Sequence, residues 1–390
     1  MADRLLAEAV AVATNLGMHI TAQPNVTSFL TEVRRRLFAH VYVTDKNMAI
    51  FTGRPPHLTH RYCSLTLPLD VNDDVVMSLP GDPVAIEDVA PGRIDGRGWS
   101  TEGEILKTTL TRARALMSLI RGEILEIALG VNQPLDVNSL WYVLLSACRV
   151  ASVLTYFPFS NLKQRQEDLF HQLPPVLHLD LSNSQDLDPK NMPTRFAKSL
   201  ARLEHLQNLF FIHRLLVKAT TRGPGDDHTA GSDADDYRAA LARISLDILA
   251  ITLTFWTHGT QGLSTLQINY DWIIVADACP AAGVLCGELL RRDGFASSWA
   301  HTGLRRSDVV HHLSLLSGFL TWIGPEASNA HLSGMVKDLI HRVLDQTLND
   351  PPAVQAAPLG MGMMPDVGVP DDFHDMFAFD LLDSFDWLRA

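Results

Sequence analysis

The stretch VYVTDKNMAIFTGRPPHL, residues 41–58, places one acidic residue in an apolar helical pattern that stops at a proline-rich corner. In a helix of 3.6 residues per turn, Asp45 lies on the same face as Phe38, Tyr42 and Ala49. That face is expected to be buried in a core, and a buried carboxylate needs a hydrogen-bonding or charged partner. The sequence therefore predicts a helix with a partnered acid inside it.

The corner that follows is built from residues that end helices. Gly53 suits the left-handed conformation just past a helix end, and Pro55 cannot continue the helix. The chain is therefore expected to turn at Arg54, back toward Asp45. We predict that Asp45 accepts hydrogen bonds either from Arg54 or from backbone amides freed by the turn.

The composition is that of a globular chain without a nucleic-acid-binding surface of its own. It has 390 residues, 46% hydrophobic and 19% charged, with a formal net charge of -12. Because an acidic surface repels phosphate, DNA contact is expected only through a region not present here. Four scattered cysteines indicate reduced thiols. The longest apolar segments are interrupted by Arg149 and Asp247, so no membrane partner is expected.

Helical periodicity dominates the sequence and predicts an all-α fold, with no convincing run of alternating strands. We predict one large, bundle-like helical domain over residues 1–348 and a linker with an acidic tail over 349–390. Residues 221–236, which are small and acidic, are expected to form a mobile loop. The predicted helices cover a stripe ending at Gly17, then 34–52, 104–129, 138–157, 195–220, 237–256, 270–292, 308–322 and 328–348.

The tail combines acidic and aromatic residues in the manner of a disordered activation segment. Acidic groups keep aromatic side chains in water until the groove of a partner binds them. The segment is thus predicted to bind coactivator proteins, the alternative being a terminal helix docked on the parent domain. The tail aromatics are Phe373, Phe377, Phe379, Phe385 and Trp387.

Enzyme motifs are missing from the sequence. It has no nucleophile elbow, phosphate loop, H-E-x-x-H pair or dinucleotide fingerprint. His57, His60 and Cys63 have a spacing that can supply zinc ligands, but a fourth ligand is not evident, so they are interpreted as ordinary loop residues. We expect no catalytic residues, and no metal or cofactor in this chain.

Two blocks of sequence resemble the fungal-specific transcription factor domain, the regulatory region of fungal binuclear zinc-cluster activators. The first block, residues 32–58, shows the arginine-rich helix start, the aromatic positions, the acid and the Gly-Arg-Pro corner of that family, followed by Pro68. The second, NYDWIIVADACPAAGVLCGELLRR at 269–292, resembles a later family helix. Departures include Ala39 in place of an aromatic residue and Lys46 in place of the usual arginine.

The resemblance implies a nuclear, non-enzymatic transcription regulator. The resemblance further implies control of a metabolic gene set, with secondary-metabolite clusters among the candidates. The family's zinc cluster is expected to precede residue 1, so zinc belongs to that absent region. The resemblance also implies that Asp45, Gly53, Arg54 and Pro55 form a structural lock.

Two other functions remain open from the sequence. One is an interaction module without its own DNA reader, which dimerises with a full-length relative or titrates it, so a homodimer or heterodimer is a candidate assembly. The other is an all-α enzyme with an unrecognised site.

Overall fold

The computed structural model describes residues 2–20, 25–129, 162–183, 191–221, 228–257, 273–291, 304–321, 323 and 329–349. These residues are overwhelmingly helical, which confirms the predicted all-α class. The predicted helix over 138–157 and all five tail aromatics lie outside the described residues. Contacts divide the chain into two compact units, residues 1–227 and 228–390, whereas the sequence analysis treated 1–348 as one domain.

Seven helices make up the described part of the first unit. The two long helices α2 and α5 pack against each other, α1 packs on α2, and α7 packs on α5 and α6. Their bounds are α1 Ala2–Asn15, α2 Phe29–Thr52, α3 Asp73–Met77, α4 Ile86–Val89, α5 Lys107–Leu129, α6 Leu162–His171 and α7 Met192–Thr221.

Helix α2 begins and ends at residues whose chemistry fixes its boundaries. Ser28 has extended backbone and its hydroxyl accepts a hydrogen bond from the Thr31 amide, so it caps the first turn. Gly53, with φ of 63°, ends the helix in the left-handed conformation that glycine adopts without strain. The helix therefore starts five residues before the predicted Arg34 and ends where the sequence predicted.

The core between α1 and α2 confirms the predicted stripe of α2 and only part of that of α1. Leu6, Val10 and Ala13 of α1 are buried against Phe38 and Tyr42 of α2. The stripe predicted for α1 was Leu5, Leu6, Ala9, Ala13 and Leu16, of which Leu5, Ala9 and Leu16 are exposed. The face of α1 that meets α2 is centred on Val10, which shares it with Leu6 and Ala13 at spacings of four and three residues.

The only strands among the described residues are a two-residue antiparallel pair, β1 Val26–Thr27 and β2 Val84–Ala85. Short 3₁₀ helices cover His60–Tyr62 and Pro175–Leu177.

The second unit contains four described α-helices and a π-helical turn. Helix α8 packs on α9 and α10, and α11 packs on α9 and α10. Their bounds are α8 His228–Thr257, a π-helix Ile274–Ala278, α9 Cys279–Leu290, α10 Arg306–Leu320 and α11 Ala330–Asn349. The guanidinium of Arg238 ties α8 to α9 through hydrogen bonds of 2.7 Å to both carboxylate oxygens of Glu288.

One predicted loop is wrong in part. The sequence predicted a mobile loop over 221–236, but α8 already begins at His228. Extending an existing helix adds one hydrogen bond for each residue that is fixed. The helix from residue 237 onward therefore extends into the polar residues that precede it.

Candidate functional site

Asp45 lies in the core with a complete set of partners. Its side chain is fully buried, and its carboxylate accepts hydrogen bonds from the backbone amides of His57 at 2.8 Å and Leu58 at 3.1 Å. The ammonium of Lys46 lies 2.8 Å from the same carboxylate and also donates to the Leu58 carbonyl. The acid therefore fastens the segment after the corner to the helix before it.

Arg54 is not the partner of Asp45. Its guanidinium lies 3.0 Å from Asp3 of α1, with 60% of the Arg54 side chain exposed. Of the two predicted partners, the arginine is therefore wrong, and the freed amides are those observed. The reason is geometric, because Gly53 and Pro55 turn the backbone so that the amides of His57 and Leu58 face α2 while the Arg54 side chain faces solvent.

Lys46 is the partner that sequence reasoning missed. It follows Asp45 directly, and helical periodicity alone places adjacent residues on different sides of a helix. Burial lowers the pKa of the Lys46 ammonium, and the nearby Asp45 carboxylate acts in the opposite direction. Its Nζ atom also lies 4.6 Å from the ring centroid of Tyr42, a cation–π contact one helical turn away. A lysine directly beside a buried acid was the feature of the sequence that could have identified this partner.

His57, His60 and Cys63 are not brought together as metal ligands. The imidazole of His57 lies 3.5 Å from Asp3, whereas Nδ1 of His60 lies 3.0 Å from the Glu126 carboxylate on α5. Cys63 is buried, and burial raises the pKa of its thiol. Within the described residues, no group of three or more histidine, cysteine or acidic side chains is arranged to hold a metal ion.

Glu126 lies beside two basic side chains of the corner segment, His60 and Arg61. Burial by itself raises the pKa of Glu126, but the hydrogen bond and charge of His60 and the charge of Arg61 outweigh it, so the pKa lies below its ordinary value. Arg61 approaches the same carboxylate at 3.5 Å. Segment 54–62 is thus held to α2 through Asp45 and to α5 through Glu126.

The arginine-rich start of α2 organises a second polar cluster. Glu32 is fully buried, and its carboxylate accepts hydrogen bonds from the Leu69 amide at 2.9 Å and from Arg36 at 3.2 Å. Burial raises the pKa of Glu32, and the charges of Arg36 and Arg35 offset part of that shift. Arg36 also reaches Asp73 at 2.9 Å, so it joins α2 to α3.

Asp70 and Arg112 form a third buried pair of anchors. Asp70 accepts hydrogen bonds from the Thr109 hydroxyl at 2.7 Å and the Ser100 amide at 3.1 Å. Arg112 of α5 donates to the Pro68 carbonyl at 2.5 Å, and burial lowers the pKa of its guanidinium to about 10. These contacts fix the connection between α2 and α5 against the first turns of α5.

Arg121 links three helices from inside the core. It is 1% exposed and donates to Asn208 of α7 at 2.9 Å, to Asn47 of α2, and to the carbonyl of Glu204 at 3.4 Å. The Asn208 amide in turn donates to the Gln166 side chain of α6 at 2.8 Å. A single arginine therefore joins α2, α5 and α7, with α6 attached through Asn208.

The same core holds a histidine in its neutral form. His205 of α7 stacks on Phe170 with ring centroids 4.1 Å apart, and the Gln166 amide group lies 3.0 Å from its Nδ1. Burial, followed by the charge of Arg202, lowers the pKa of His205 to about 3. The histidine is therefore uncharged at neutral pH and packs as an aromatic ring.

These clusters hold helices and loops in fixed positions. The carboxylates named above accept hydrogen bonds from, or form ion pairs with, other groups of the protein. Enzymatic acid–base chemistry instead needs groups within reach of a substrate, with pKa values near the working pH. The arrangement is typical of a rigid scaffold. None of the helices in the part of the chain that the structure describes is both long and apolar enough to cross a membrane.

Comparison with known families gives one match. Residues 1–127, 127 of the 390 residues, match the family model described as "Fungal specific transcription factor domain". The match confirms the resemblance over the first sequence block, whereas the second block at 269–292 lies outside the matched range. Comparisons with curated proteins and with solved structures give no match.

Proposed function

We propose that this chain, whose residues 1–127 carry a fungal specific transcription factor domain, is the regulatory and activation part of a fungal transcription regulator. The observation that carries the proposal is the family match, which covers α1, α2, the corner and α5 through Ile127. The polar clusters of the site lie mainly in that range. A domain of this family supports a role in regulating transcription; the finer steps below belong to the proposal.

The proposed mechanism separates a rigid part from a recruiting part. Buried ion pairs and amide contacts fix α2, α5 and the corner segment, and in the proposal they position other molecules without a reaction of their own. Asp45 and the turn at Gly53 and Pro55 serve as a structural lock in this scheme, with Arg54 outside it. The charge of -12 supports a division of labour in which a separate region reads DNA.

The acidic aromatic tail is the proposed contact with coactivator proteins. Six aspartates lie among the five aromatic side chains between residues 371 and 387, a composition that suits a partner groove with an apolar floor and a basic rim. The proposed location is the nucleus, and the proposed targets are a metabolic gene set. Transcript profiling after deletion of the gene tests the assignment of these targets.

A reporter assay tests the activation step. Residues 1–390, 1–348 and 365–390 are each fused to a heterologous DNA-binding domain in a fungal host. We expect activation from 1–390 and 365–390 and none from 1–348. Replacing Phe377, Phe379 and Trp387 by alanine in the 365–390 fusion is expected to abolish activation.

A methionine variant supplies the matched control. Met361, Met363 and Met364 are also apolar and lie just before the tail, so their joint replacement by alanine in the 1–390 fusion is expected to leave activation unchanged. Activation by 1–348 equal to that of 1–390, or silence of every fusion despite equal protein levels, contradicts the tail assignment.

A further inference from the structure

A cavity of about 430 Å³ lies between the corner segment and the last turns of α5. Its walls are apolar, formed by Pro55, Pro56 and Leu58 on one side and by Leu125 and Leu129 on the other. Pockets that enclose drug-sized ligands span roughly 300–1,000 Å³ and are lined mainly by apolar groups with a few placed polar ones. The corner cavity fits both parts of that description.

The buried end of the cavity is shaped by a glycine. Gly122 lines it from α5, and a Cβ atom at this position would lie 3.4 Å from both the Lys46 Cε atom and the Tyr42 hydroxyl. The other end is formed by Arg61 and Tyr62, whose side chains are largely exposed. The cavity is therefore a mostly apolar groove that is partly open to solvent, with polar residues at its exposed end.

The charges around the cavity are already balanced. Asp45 is neutralised by Lys46 and two backbone amides, and Glu126 is held by His60 at 3.0 Å and Arg61 at 3.5 Å. An ionised ligand would lose water without meeting an uncompensated opposite charge, which is costly in an apolar site. The electrostatics therefore favour a neutral ligand.

The Lys46 ammonium is occupied by protein groups. Its hydrogen bonds go to Asp45 and the Leu58 carbonyl, and Nζ lies 4.6 Å from the centroid of the Tyr42 ring. Because only 1% of the Lys46 side chain is exposed, Lys46 lines the cavity without offering a charged group to a ligand. The lining therefore favours apolar contacts.

From these features we propose that the corner cavity binds a neutral, mainly apolar small molecule of the aromatic class. Such a ligand contacts segment 54–62 and α5 at once, so it adds apolar contacts between two elements already joined by Asp45 and Glu126. The proposal concerns binding by the folded chain and does not depend on the activation assay.

Fluorescence titration of the full chain with Nile red, a neutral aromatic carbonyl dye, tests the site. We expect saturable binding with a blue-shifted emission. Thr59→Trp, which fills the cavity from a half-buried lining position, is expected to weaken binding at least about tenfold, roughly 1.4 kcal/mol. His57→Trp, two residues away, exposed and outside the lining, is expected to leave binding unchanged.

A second filling variant keeps the test decisive if Thr59→Trp does not fold. Leu129→Trp narrows the cavity from α5, and circular dichroism melting identifies which variants are native. Absence of saturable binding by the unmodified chain, or an unchanged affinity in a folded filling variant, overturns the site.

Displacement of bound Nile red tests the ligand chemistry. Three probes share one ring system and differ in charge: neutral 2-acetylnaphthalene, anionic 2-naphthoate and cationic 2-(aminomethyl)naphthalene. We expect the neutral ketone to displace the dye at the lowest concentration. Displacement by either charged probe at an equal or lower concentration overturns the assignment to neutral ligands.

Discussion

The Asp45 carboxylate and the Lys46 ammonium, on adjacent residues of α2, lie 2.8 Å apart with both side chains at most 1% exposed. The carboxylate also holds the amides of His57 and Leu58, and the ammonium holds the Leu58 carbonyl. The pair therefore joins the helix to the chain that returns past the corner. Its stability contribution depends on both charges, because either one alone is left buried without compensation.

Asp45 and Lys46 are expected to be coupled, so that the double replacement lowers the free energy of unfolding by less than the sum of the two single replacements. Asp45→Ala leaves the buried charge of Lys46 without an opposite charge and two amides without an acceptor, which should lower the free energy of unfolding by about 3–5 kcal/mol. In Asp45→Ala/Lys46→Met the cost should be smaller than the sum of the two single changes. Urea unfolding of the three variants measures the coupling.

Arg54→Ala is the control for that cycle. Its ion pair with Asp3 is largely exposed, so the change should cost less than about 1 kcal/mol. An Arg54→Ala loss as large as that of Asp45→Ala, or strictly additive losses in the cycle, would show that the buried pair does not act as described.

Two glycines are expected to respond to alanine in opposite directions. Gly122 lies inside α5, where an added Cβ meets its neighbours at an ordinary 3.4 Å, so Gly122→Ala should stabilise the protein by up to about 1 kcal/mol through helix propensity. Gly98 has φ of 84°, and an added Cβ would lie 2.8 Å from the Arg112 guanidinium. Gly98→Ala should therefore destabilise by about 1–2 kcal/mol or more. Thermal melting compares the two, and a loss at Gly122 would contradict the packing described for it.

Arg121 is expected to be the most sensitive basic residue of α5. Arg121→Met removes the donors to Asn208, Asn47 and the Glu204 carbonyl and leaves these groups buried, at a cost of about 3 kcal/mol or more. Lys107→Met on the same helix removes an exposed contact to the Asp73 carboxylate and should leave the free energy of unfolding nearly unchanged. Denaturant unfolding at neutral pH distinguishes them, and equal costs would contradict the central role of Arg121.

His205 is expected to make stability depend on pH. The pKa of His205 is about 3 in the folded chain, below its ordinary 6.5, so the unfolded chain binds the proton more tightly. Stability from this group is complete above about 6.5 and is lost as the pH falls toward 3, by up to about 5 kcal/mol. The difference in unfolding free energy between the natural chain and His205→Gln should therefore shrink, and then reverse, as the pH falls from 7 to 4. A difference that stays constant over this interval excludes His205 as the titrating group.

The helical architecture was accessible from sequence because apolar spacing and end signals are local. The stripe through Phe38 and Tyr42 predicted a buried face, and Gly53 predicted the end of α2 to the residue. The start of α8 was missed because the polar residues before Tyr237 carry no apolar period, although they continue a helix that is stabilised further along. The tail aromatics and the second family block stay predictions.

Helical period and backbone sterics depend only on neighbouring residues, so they were enough to predict that Asp45 is buried and that the chain turns at Gly53 and Pro55. The groups that meet the acid follow from the fold: they are the amides of His57 and Leu58 and the Lys46 ammonium, whereas Arg54 pairs with Asp3. Partner choice depends on where the returning chain lies and on which side chain loses its water there. Neither quantity is a property of residue spacing.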